Sequence, residues 1–280
     1  MNLRKALDRA KKELEIQGDA VMAPAVKRGA AADSGWEPPV YSESKPVTID
    51  IPTAVKNHCV ALSNEFPEIN YYKVLRTQLR QMGQLKDWNT VMVTSASPNE
   101  GKTVTAVNLA ATFAREYNHT VLLVDADLRM QMIHRYLGYD SSLGLLDYLE
   151  DKAAMNDIIA WPGIDKFTVI SGDRVVDDSS ELIGSPRMQT LMDELKNRYD
   201  DRYVIFDAPP ILDVADALAF APLVDCILVV VGAGVTSKQN LKEALALLPQ
   251  DKIAGFVLNR FQGPNNQYGR YGYGYGDARK

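Results

Sequence analysis

The chain has 280 residues, of which 46% are hydrophobic and 24% charged, and its formal net charge at pH 7 is −5. This length and composition are typical of a globular protein with one large α/β domain and appended segments. A chain without excess positive charge lacks the basic field of nucleic-acid-binding proteins, so no nucleic-acid partner is expected. The two cysteines, Cys59 and Cys226, have no paired spacing, which argues against a disulfide framework and favours the cytoplasm.

The sequence shows no targeting or membrane-spanning segment. The N-terminal residues M-N-L-R-K-A-L-D-R-A-K-K-E-L contain no apolar core of a signal peptide. No apolar run approaches the ~20 residues that a membrane-spanning helix needs. We therefore expect a cytoplasmic protein whose contact with a membrane is peripheral, through a partner or a surface helix.

The first 63 residues divide into two parts. Residues 1–16 have the spacing of an amphipathic helix, which could dock on a partner or membrane or pack on its own domain. Residues 17–63 are rich in Ala, Pro, Gly and Ser and predict a flexible linker. Within it, Val47–Ile51 could form a short strand, although Pro46 and Pro52 enclose it.

A helix is predicted over Glu68–Met82, before the first predicted strand of the main domain. Apolar side chains recur on one side of this helix, and Lys73, Arg76 and Arg80 lie along another. The simplest interpretation of the second side is a basic face in contact with solvent.

A phosphate-binding loop is predicted between a buried strand, Val91–Thr94, and a helix over Lys102–Tyr117. The small residues of the loop and the Gly-Lys-Thr that opens the helix match a relaxed form of this motif, with Ala96 at the usual first glycine. Backbone N–H groups of such a loop favour an anion. Lys102 can reach the β- and γ-phosphates of ATP, and the Thr103 hydroxyl can hold Mg²⁺. The predicted ATP-binding residues are Ser97, Pro98, Asn99, Glu100, Gly101, Lys102, Thr103 and Val104.

Two further strands end in acidic residues. After the apolar run Val121–Val124 come Asp125 and Asp127, whose side chains alternate and point the same way at a strand end, and then Arg129. Such carboxylates could hold Mg²⁺ and activate a hydroxyl, or could be a helix cap and a surface acid. The phosphate loop one βα unit earlier favours the functional interpretation. Asp207, at the end of a second apolar strand, is predicted to accept from Mg²⁺ or its water.

Strands and helices alternate along the rest of the chain. Further strands are predicted at Lys166–Ile170, Cys226–Val231 and Ile253–Leu258, and further helices at Met188–Tyr199 and Lys238–Leu248. This order predicts an α/β phosphate-loop fold with a mostly parallel sheet and helices on both faces. The strand ends at Ser95, Asp125, Asp207 and Asn259 should then lie along one edge.

The C-terminal tail, residues 263–280, is expected to be disordered because it lacks large aliphatic residues. Four tyrosines, Tyr268, Tyr271, Tyr273 and Tyr275, are separated only by Gly and Arg. They could be accessible phosphoacceptors or merely part of a low-complexity end.

Together these elements resemble the bacterial tyrosine kinase family, the cytoplasmic autokinases of capsule and exopolysaccharide systems. The resemblance covers Phe66 to the C-terminus, with residues 64–262 as the kinase domain. Its carriers are the relaxed phosphate loop Ala96–Thr103, the D-x-D-x-R element at Asp125, the D-A-P-P sequence at Asp207, and the tyrosine cluster. The Tyr-Gly repeat is also similar to that of separate-chain autokinases of exopolysaccharide loci with exosortase systems.

The resemblance implies ATP with Mg²⁺ as cofactors and phosphorylation of C-terminal tyrosines between subunits of a ring. It implies a separate transmembrane polysaccharide co-polymerase as activator at the inner face of the plasma membrane, and a cognate tyrosine phosphatase. By position, Lys102 would stabilise phosphate charge, while Thr103, Asp125 and Asp207 would serve the metal. Asp125 or Asp127 would orient or deprotonate the tyrosine, and Arg129 would fix the aspartates. Asn259 would contact adenine.

One part of the family pattern is altered here. The ring-forming E-x-x-R-x-x-R motif aligns with Asn70, Lys73 and Arg76, so the acid is absent and one arginine is a lysine, which lacks the bidentate fork. Two alternatives stay open. A MinD/ParA-like partition or positioning ATPase shares the fold, but it carries a signature lysine where Ser97 stands and has no tyrosine tail. A scaffold phosphorylated by another kinase would not need Lys102 and the aspartates.

Overall fold

The computed structural model describes residues 44–63, 65–177, 179–198 and 201–261. The helix predicted at residues 1–16 and the tyrosines predicted as phosphoacceptors lie outside these residues. The described part contains an eight-stranded sheet with the strand order β1-β4-β5-β3-β6-β2-β7-β8. The strands are β1 Lys45–Pro46, β2 Thr90–Ser95, β3 Thr120–Asp125, β4 Ala160–Trp161, β5 Phe167–Ile170, β6 Arg202–Asp207, β7 Cys226–Gly232 and β8 Ile253–Asn259.

Helices follow most of the strands. They are α1 Ile51–Lys56, α2 Ile69–Lys86, α3 Lys102–Ala114, α4 Ile133–Leu137, α5 Leu145–Leu149, α6 Met155–Ile158, α7 Ser180–Ile183, α8 Pro186–Asn197, α9 Asp216–Phe220 and α10 Lys238–Leu247. Short 3₁₀ turns occur at Val60–Leu62, Ala221–Leu223 and Gln250–Lys252. Among the described residues, no helix combines the length and the apolar character needed to cross a membrane.

The sheet is parallel through its centre, as predicted. Strands β5, β3, β6, β2, β7 and β8 all pair in parallel. The pairing of β4 with β5, at Ala160 and Val169, is antiparallel, so the short edge formed by β1 and β4 runs against the rest.

Helices cover both faces of the sheet because consecutive residues of its central strands are apolar, so both faces must be buried. On β3, Leu122 and Val124 pack with the core that α8 and α10 cover. Val121 and Leu123 point to the other face, into the core that α2 and α3 cover. The predicted two-faced α/β architecture is therefore confirmed, and the bounds of the predicted strands differ from the observed ones by no more than one residue at either end.

The segment over residues 50–63, which we call the strap, departs from the predicted linker. It forms α1 and the turn Val60–Leu62, and its residues Ala54, Cys59 and Ala61 are fully buried. Asp50 accepts a hydrogen bond from the Thr53 N–H at 3.1 Å and caps α1. Pro52 lies in the first turn of α1, where its missing N–H has no cost, so the strand considered at Val47–Ile51 gives way to a helix start.

The expected solvated basic face of α2 is also wrong in part. Arg76 Nε lies 3.0 Å from Glu116 Oε1, and its Nη1 donates to the Thr112 carbonyl at 2.8 Å. Arg80 Nη1 lies 3.3 Å from the other oxygen of Glu116. The two arginines therefore fasten α2 to the end of α3, a pairing that helical periodicity alone does not reveal.

Candidate active site

The ends of the central strands bring the predicted acids together. Asp125 on β3 and Val93 on β2 both align with Asp207 on β6, the strand between them. The helix after the phosphate loop starts at the same edge, and the Thr103 hydroxyl donates to Asp207 Oδ2 at 2.6 Å. The sequence prediction that these residues converge is thus confirmed by the geometry.

Lys102 lies between two of the carboxylates. Its Nζ is 2.8 Å from Asp127 Oδ2 and 3.6 Å from Asp207 Oδ1. Burial acts to lower the pKa of Lys102, but the carboxylates of Asp207 and Asp127 outweigh it and raise this pKa above its ordinary value. Lys102 therefore carries a full positive charge at neutral pH, at the end of a loop suited to phosphate.

Asp125 is held from behind by two donors. Its Oδ2 accepts from the Ile133 N–H at 2.9 Å and from the Ser171 hydroxyl at 3.0 Å. Burial, reinforced by the neighbouring Asp207, raises the pKa of Asp125 well above that of an ordinary aspartate. A buried carboxyl group with a strongly perturbed pKa beside a phosphate loop is a candidate functional residue.

One oxygen of each of the three acids is buried without a hydrogen-bond partner among the described residues. These atoms are Oδ1 of Asp125, Asp127 and Asp207. Buried carboxylate oxygens normally have hydrogen-bond partners, so unbonded ones at one edge fit a cation site. Asp207 Oδ1 has Lys102 Nζ at 3.6 Å, and the Oδ1 atoms of Asp125 and Asp127 have no described partner. The described residues contain no group of three or more His, Cys, Asp or Glu side chains arranged as a metal site. Mg²⁺ at phosphate sites commonly uses one or two carboxylates with phosphates and water, so the residues present fit it.

Glu100 braces the phosphate loop from inside. Its side chain is fully buried, and Oε2 accepts from the Ala96 N–H at 3.0 Å. Oε1 accepts from the Thr236 hydroxyl at 2.6 Å, and Thr236 in turn accepts from the Gly232 N–H at 2.8 Å. The side chain of Glu100, predicted as ATP-binding, thus ties the loop to the end of β7. Neither this role nor that of Thr236 is indicated by the local sequence, because the two residues are 136 positions apart.

Gly101 and Asn259 meet at the end of the loop. Gly101 has φ +97°, and a Cβ there would lie 1.9 Å from Asn259 Nδ2, so only glycine fits. Asn259 Nδ2 donates to the Glu100 carbonyl at 2.9 Å. The structure therefore places Asn259 beside the loop as predicted, but with its amide nitrogen bonded to the loop backbone.

The remaining predicted loop residues, Ser97, Pro98 and Asn99, differ in their contacts and exposure. The Ser97 carbonyl accepts from the Ser95 hydroxyl at 2.8 Å, and the Ser97 hydroxyl lies 3.3 Å from Asn240 Nδ2 on α10. Asn99 has φ +62° and lines a cleft together with Gly101 and Val104. Pro98 separates Ser97 from Asn99 in the exposed part of the loop.

Arg129 does not fix Asp125 or Asp127 in the structure, contrary to the prediction. Its Nε lies 3.3 Å from Asp216 Oδ2 at the start of α9. Asp216 is fully buried and also accepts from the Ser179 hydroxyl. Leu128 is buried in the core on one side of the sheet, and Arg129 follows it out toward α9. A spacing of two residues cannot indicate this long-range partner.

A cleft of about 1020 Å³ opens beside the phosphate loop. Residues of the phosphate loop, the start of α3 and the end of β8 line part of it, and residues of the strap, of α2 and the turn before it, and of α4 line the rest. Its lining includes Val55, Asn57, His58, Phe66, Tyr72, Asn99, Gly101, Val104, Tyr136, Asn259 and Arg260. The volume is at the upper end of the range for small-molecule sites, so a nucleotide can be accommodated there.

The sheet, loop and acid cluster define a phosphate-loop nucleotide-binding protein. In agreement, the family described as the CobQ/CobB/MinD/ParA nucleotide binding domain matches residues 91–270. The chain is 35% identical to tyrosine-protein kinase YwqD of Bacillus subtilis (strain 168) over 205 residues, which are 72% of this chain and 85% of that protein. The chain belongs to the bacterial tyrosine kinase family and is a protein-tyrosine kinase.

Other relatives agree with this assignment. Tyrosine-protein kinase etk of Escherichia coli (strain K12) is 33% identical over 189 residues, which are 67% of this chain and 26% of that protein. The match thus spans about a quarter of that longer relative. The solved kinase domain of Escherichia coli tyrosine kinase ETK superimposes with a TM-score of 0.63 at 31% identity, covering 70% of this chain and 78% of that domain.

Proposed function

We propose that this kinase transfers the γ-phosphoryl group of ATP to the tail tyrosines Tyr268, Tyr271, Tyr273 and Tyr275 of neighbouring copies. The observation that carries the proposal is the convergence of Lys102, Thr103 and the three aspartates at one sheet edge. The same chain ends in closely spaced tyrosines. Kinase site and acceptor would then belong to one autokinase.

The metal-binding residues in this proposal are Thr103 and Asp207, with Asp125 assisting. Mg²⁺, when bound, would neutralise charge on the transferring phosphoryl group. The Thr103 hydroxyl is already oriented by Asp207. The Oδ1 atoms of Asp125 and Asp207 make no hydrogen bond among the described residues, which leaves them available as metal ligands.

Lys102 would exchange its carboxylate partners for phosphate oxygens when ATP binds. Asp127 and Asp207 hold the Lys102 ammonium group in place beforehand, so this positive charge is positioned before the nucleotide binds. Preorganised charge of this kind stabilises the transferring phosphoryl group without reorganisation during the reaction. The loop N–H groups and the start of α3 would bind the remaining phosphate oxygens.

The incoming tyrosine must lose a proton during transfer, because a phenol has a pKa of about 10. The tyrosine oxygen forms a bond to the γ-phosphorus, the bond from that phosphorus to the β–γ bridging oxygen breaks, and ADP leaves. Asp125 or Asp127 would accept the proton.

The biological setting of the proposal follows the family resemblance. We infer a homo-oligomer at the inner face of the plasma membrane, activated by a separate transmembrane polysaccharide co-polymerase and reversed by a tyrosine phosphatase. The kinase would regulate capsule or exopolysaccharide synthesis. Arg76, which aligns with the ring motif, is paired with Glu116 in its own chain, so its subunit contacts would differ from the family pattern.

Replacing the tail acceptors tests this function. Changing Tyr268, Tyr271, Tyr273 and Tyr275 together to phenylalanine should remove most phosphate incorporation from ATP·Mg²⁺ while leaving ATP affinity unchanged, because the tail is the acceptor and not the nucleotide site. Intact-mass measurement with the activator's cytoplasmic segment present would count the phosphates. The matched control is Tyr117→Phe, an exposed tyrosine outside the tail, which should label normally.

Two results would contradict the proposal. One is an absence of mass gain in the wild-type protein with activator present. The other is undiminished labelling of the variant without the four tail tyrosines, since the acceptors would then lie elsewhere in the chain.

A further inference from the structure

The strap is bonded to the helix that follows the phosphate loop. Asn108, at the centre of α3, is fully buried and uses both ends of its amide. Oδ1 accepts from the Ala61 N–H at 2.7 Å, and Nδ2 donates to the His58 carbonyl at 2.9 Å and to the Val104 carbonyl at 2.8 Å. One side chain therefore joins two points of the strap to the turn of α3 that borders the cleft.

The strap is also bonded to the helix that follows the D-x-D element. The Asp50 N–H donates to the Leu137 carbonyl at 3.0 Å, and Asn57 Nδ2 lies 3.3 Å from the Tyr136 carbonyl. A Cβ on Gly138 would come within 2.8 Å of Asp50, so the two segments are in close contact there. The strap thus bridges α3 and α4, the two helices whose starts follow the site's loop and its acids.

The strap turn at His58, which faces the cleft, has an unfavourable backbone conformation that these hydrogen bonds help to hold. His58 has φ +63°, a conformation that residues other than glycine adopt rarely. Its carbonyl is one of the groups that Asn108 holds. Such backbone conformations persist where the surroundings impose them and cluster at ligand sites.

We propose that the strap is the wall against which the base and ribose of the nucleotide bind, and that Asn108 is the positioning residue that holds this wall. The proposal deepens the nucleotide site above and rests on the phosphates lying at residues 97–103. From that end the cleft extends past Gly101 to strap residues His58 and Asn57 and the aromatic Phe66 and Tyr72. A flat purine ring with polar edges matches a cleft of aromatic side chains and amide groups.

Asn108→Ala tests the proposal by comparing two ligands of the same loop. Loss of the strap bonds should weaken ADP binding about tenfold, which corresponds to about 1.4 kcal/mol. Pyrophosphate, which has no base or ribose, should bind within about twofold of wild type because the loop itself is unchanged. Isothermal titration of the full chain with each ligand in the presence of Mg²⁺ gives both affinities.

The matched control is Asn197→Ala on α8. Asn197 also donates to the carbonyl four residues earlier, at Asp193 with 2.8 Å, but it contacts no part of the strap. Its removal should leave both affinities unchanged. If Asn108→Ala melts too low to titrate, Asn57→Ala loosens the strap from α4 at the surface and should weaken ADP selectively by about threefold, a fraction of the effect of a lost hydrogen bond.

Kinetics add a readout that general damage would not produce. Asn108→Ala should raise the KM for ATP with kcat changed less than about twofold, because the groups at the phosphates are untouched. Binding of ADP requires no phosphotransfer, so these titrations stand even if tail phosphorylation fails.

Three outcomes would overturn the proposal. Equal losses of ADP and pyrophosphate affinity would assign Asn108 to the loop and not to the wall. Unchanged ADP affinity in a folded Asn108→Ala or Asn57→Ala protein would remove the strap from the nucleotide site. A raised KM for the tail acceptor with normal ADP affinity would assign the cleft to the tail of another copy.

Discussion

The phosphate-loop edge and the strap both border the same cleft, yet their construction differs. At the edge, the functional groups come from short contiguous motifs at strand ends, and their meeting follows from parallel pairing of β2, β6 and β3. The strap reaches the site through bonds that span 47 and 50 residues of sequence, from Ala61 and His58 to Asn108.

This difference has a functional consequence. Groups that bind phosphate and metal are common to phosphate-loop proteins and are set by the motif. The wall for the rest of the nucleotide is set by packing of a segment outside the motif. Changes at the edge should therefore abolish phosphotransfer, whereas changes at the strap should alter nucleotide affinity and leave the chemistry in place.

The largest effect is expected for Lys102→Met. Labelling should fall by about 10³-fold, because the charge that stabilises the transferring phosphoryl group is lost. Asp125, Asp127 and Asp207 would also lose the neighbouring positive charge of Lys102, which should lower the free energy of unfolding by about 3 kcal/mol. Phosphate incorporation by mass and urea denaturation measure the two effects.

Lys152→Met is the matched control for that change. Lys152 forms an exposed ion pair with Glu150 at 2.7 Å, and such surface pairs contribute about 0–1 kcal/mol. Labelling and stability should both stay near wild type. Labelling of Lys102→Met within tenfold of wild type would remove Lys102 from the mechanism. It would also contradict the expectation that changes at the phosphate-loop edge affect phosphotransfer more than changes at the strap do.

A smaller effect on stability, of opposite sign, is expected for Asp125→Asn. The folded protein holds the Asp125 proton more tightly than the unfolded chain, because burial and Asp207 raise its pKa. The wild-type free energy of unfolding should therefore fall as pH rises from the ordinary aspartate value toward the raised pKa. Asparagine does not ionise and can still accept from Ile133 and Ser171, so the variant should gain about 1 kcal/mol over wild type between pH 5 and pH 8.

Urea denaturation at both pH values measures this gain, and phosphotransfer should fall in the same variant because the carboxylate is lost. Asp140→Asn, an exposed aspartate outside the site, is the control and should keep the wild-type pH dependence. A stability difference between Asp125→Asn and wild type that is equal at pH 5 and pH 8 would contradict the raised pKa.

Local patterns sufficed to predict most of the fold and the phosphate end of the site. The alternation of apolar, strand-like runs with segments of helical periodicity predicted the parallel sheet. The phosphate-loop motif predicted that Lys102 and Thr103 lie at its edge. These features depend on neighbouring residues and on rules of parallel pairing, so the sequence contains them directly.

Long-range polar contacts were not predictable in the same way. The partner of Arg129 is Asp216, 87 residues away, and Arg76 pairs with Glu116 on another helix. The strap was predicted as linker because Ala, Pro and Gly dominate its surroundings. One signal was present, since the amide of Asn108 stands among the apolar residues Ala106, Val107, Leu109 and Ala110 of α3, and buried amides need partners.

Transfer between copies, the central claim, is tested most directly with two complementary variants in one tube. One chain carries Lys102→Met and an intact tail, and the other carries an intact Lys102 and phenylalanine at the four tail tyrosines. Incubated together with ATP, Mg²⁺ and activator, the Lys102→Met chain should gain phosphate on its tail, as seen by intact mass, although either chain alone gains little. A Lys102→Met chain that stays unphosphorylated in the mixture, while wild type labels under the same conditions, would contradict the account.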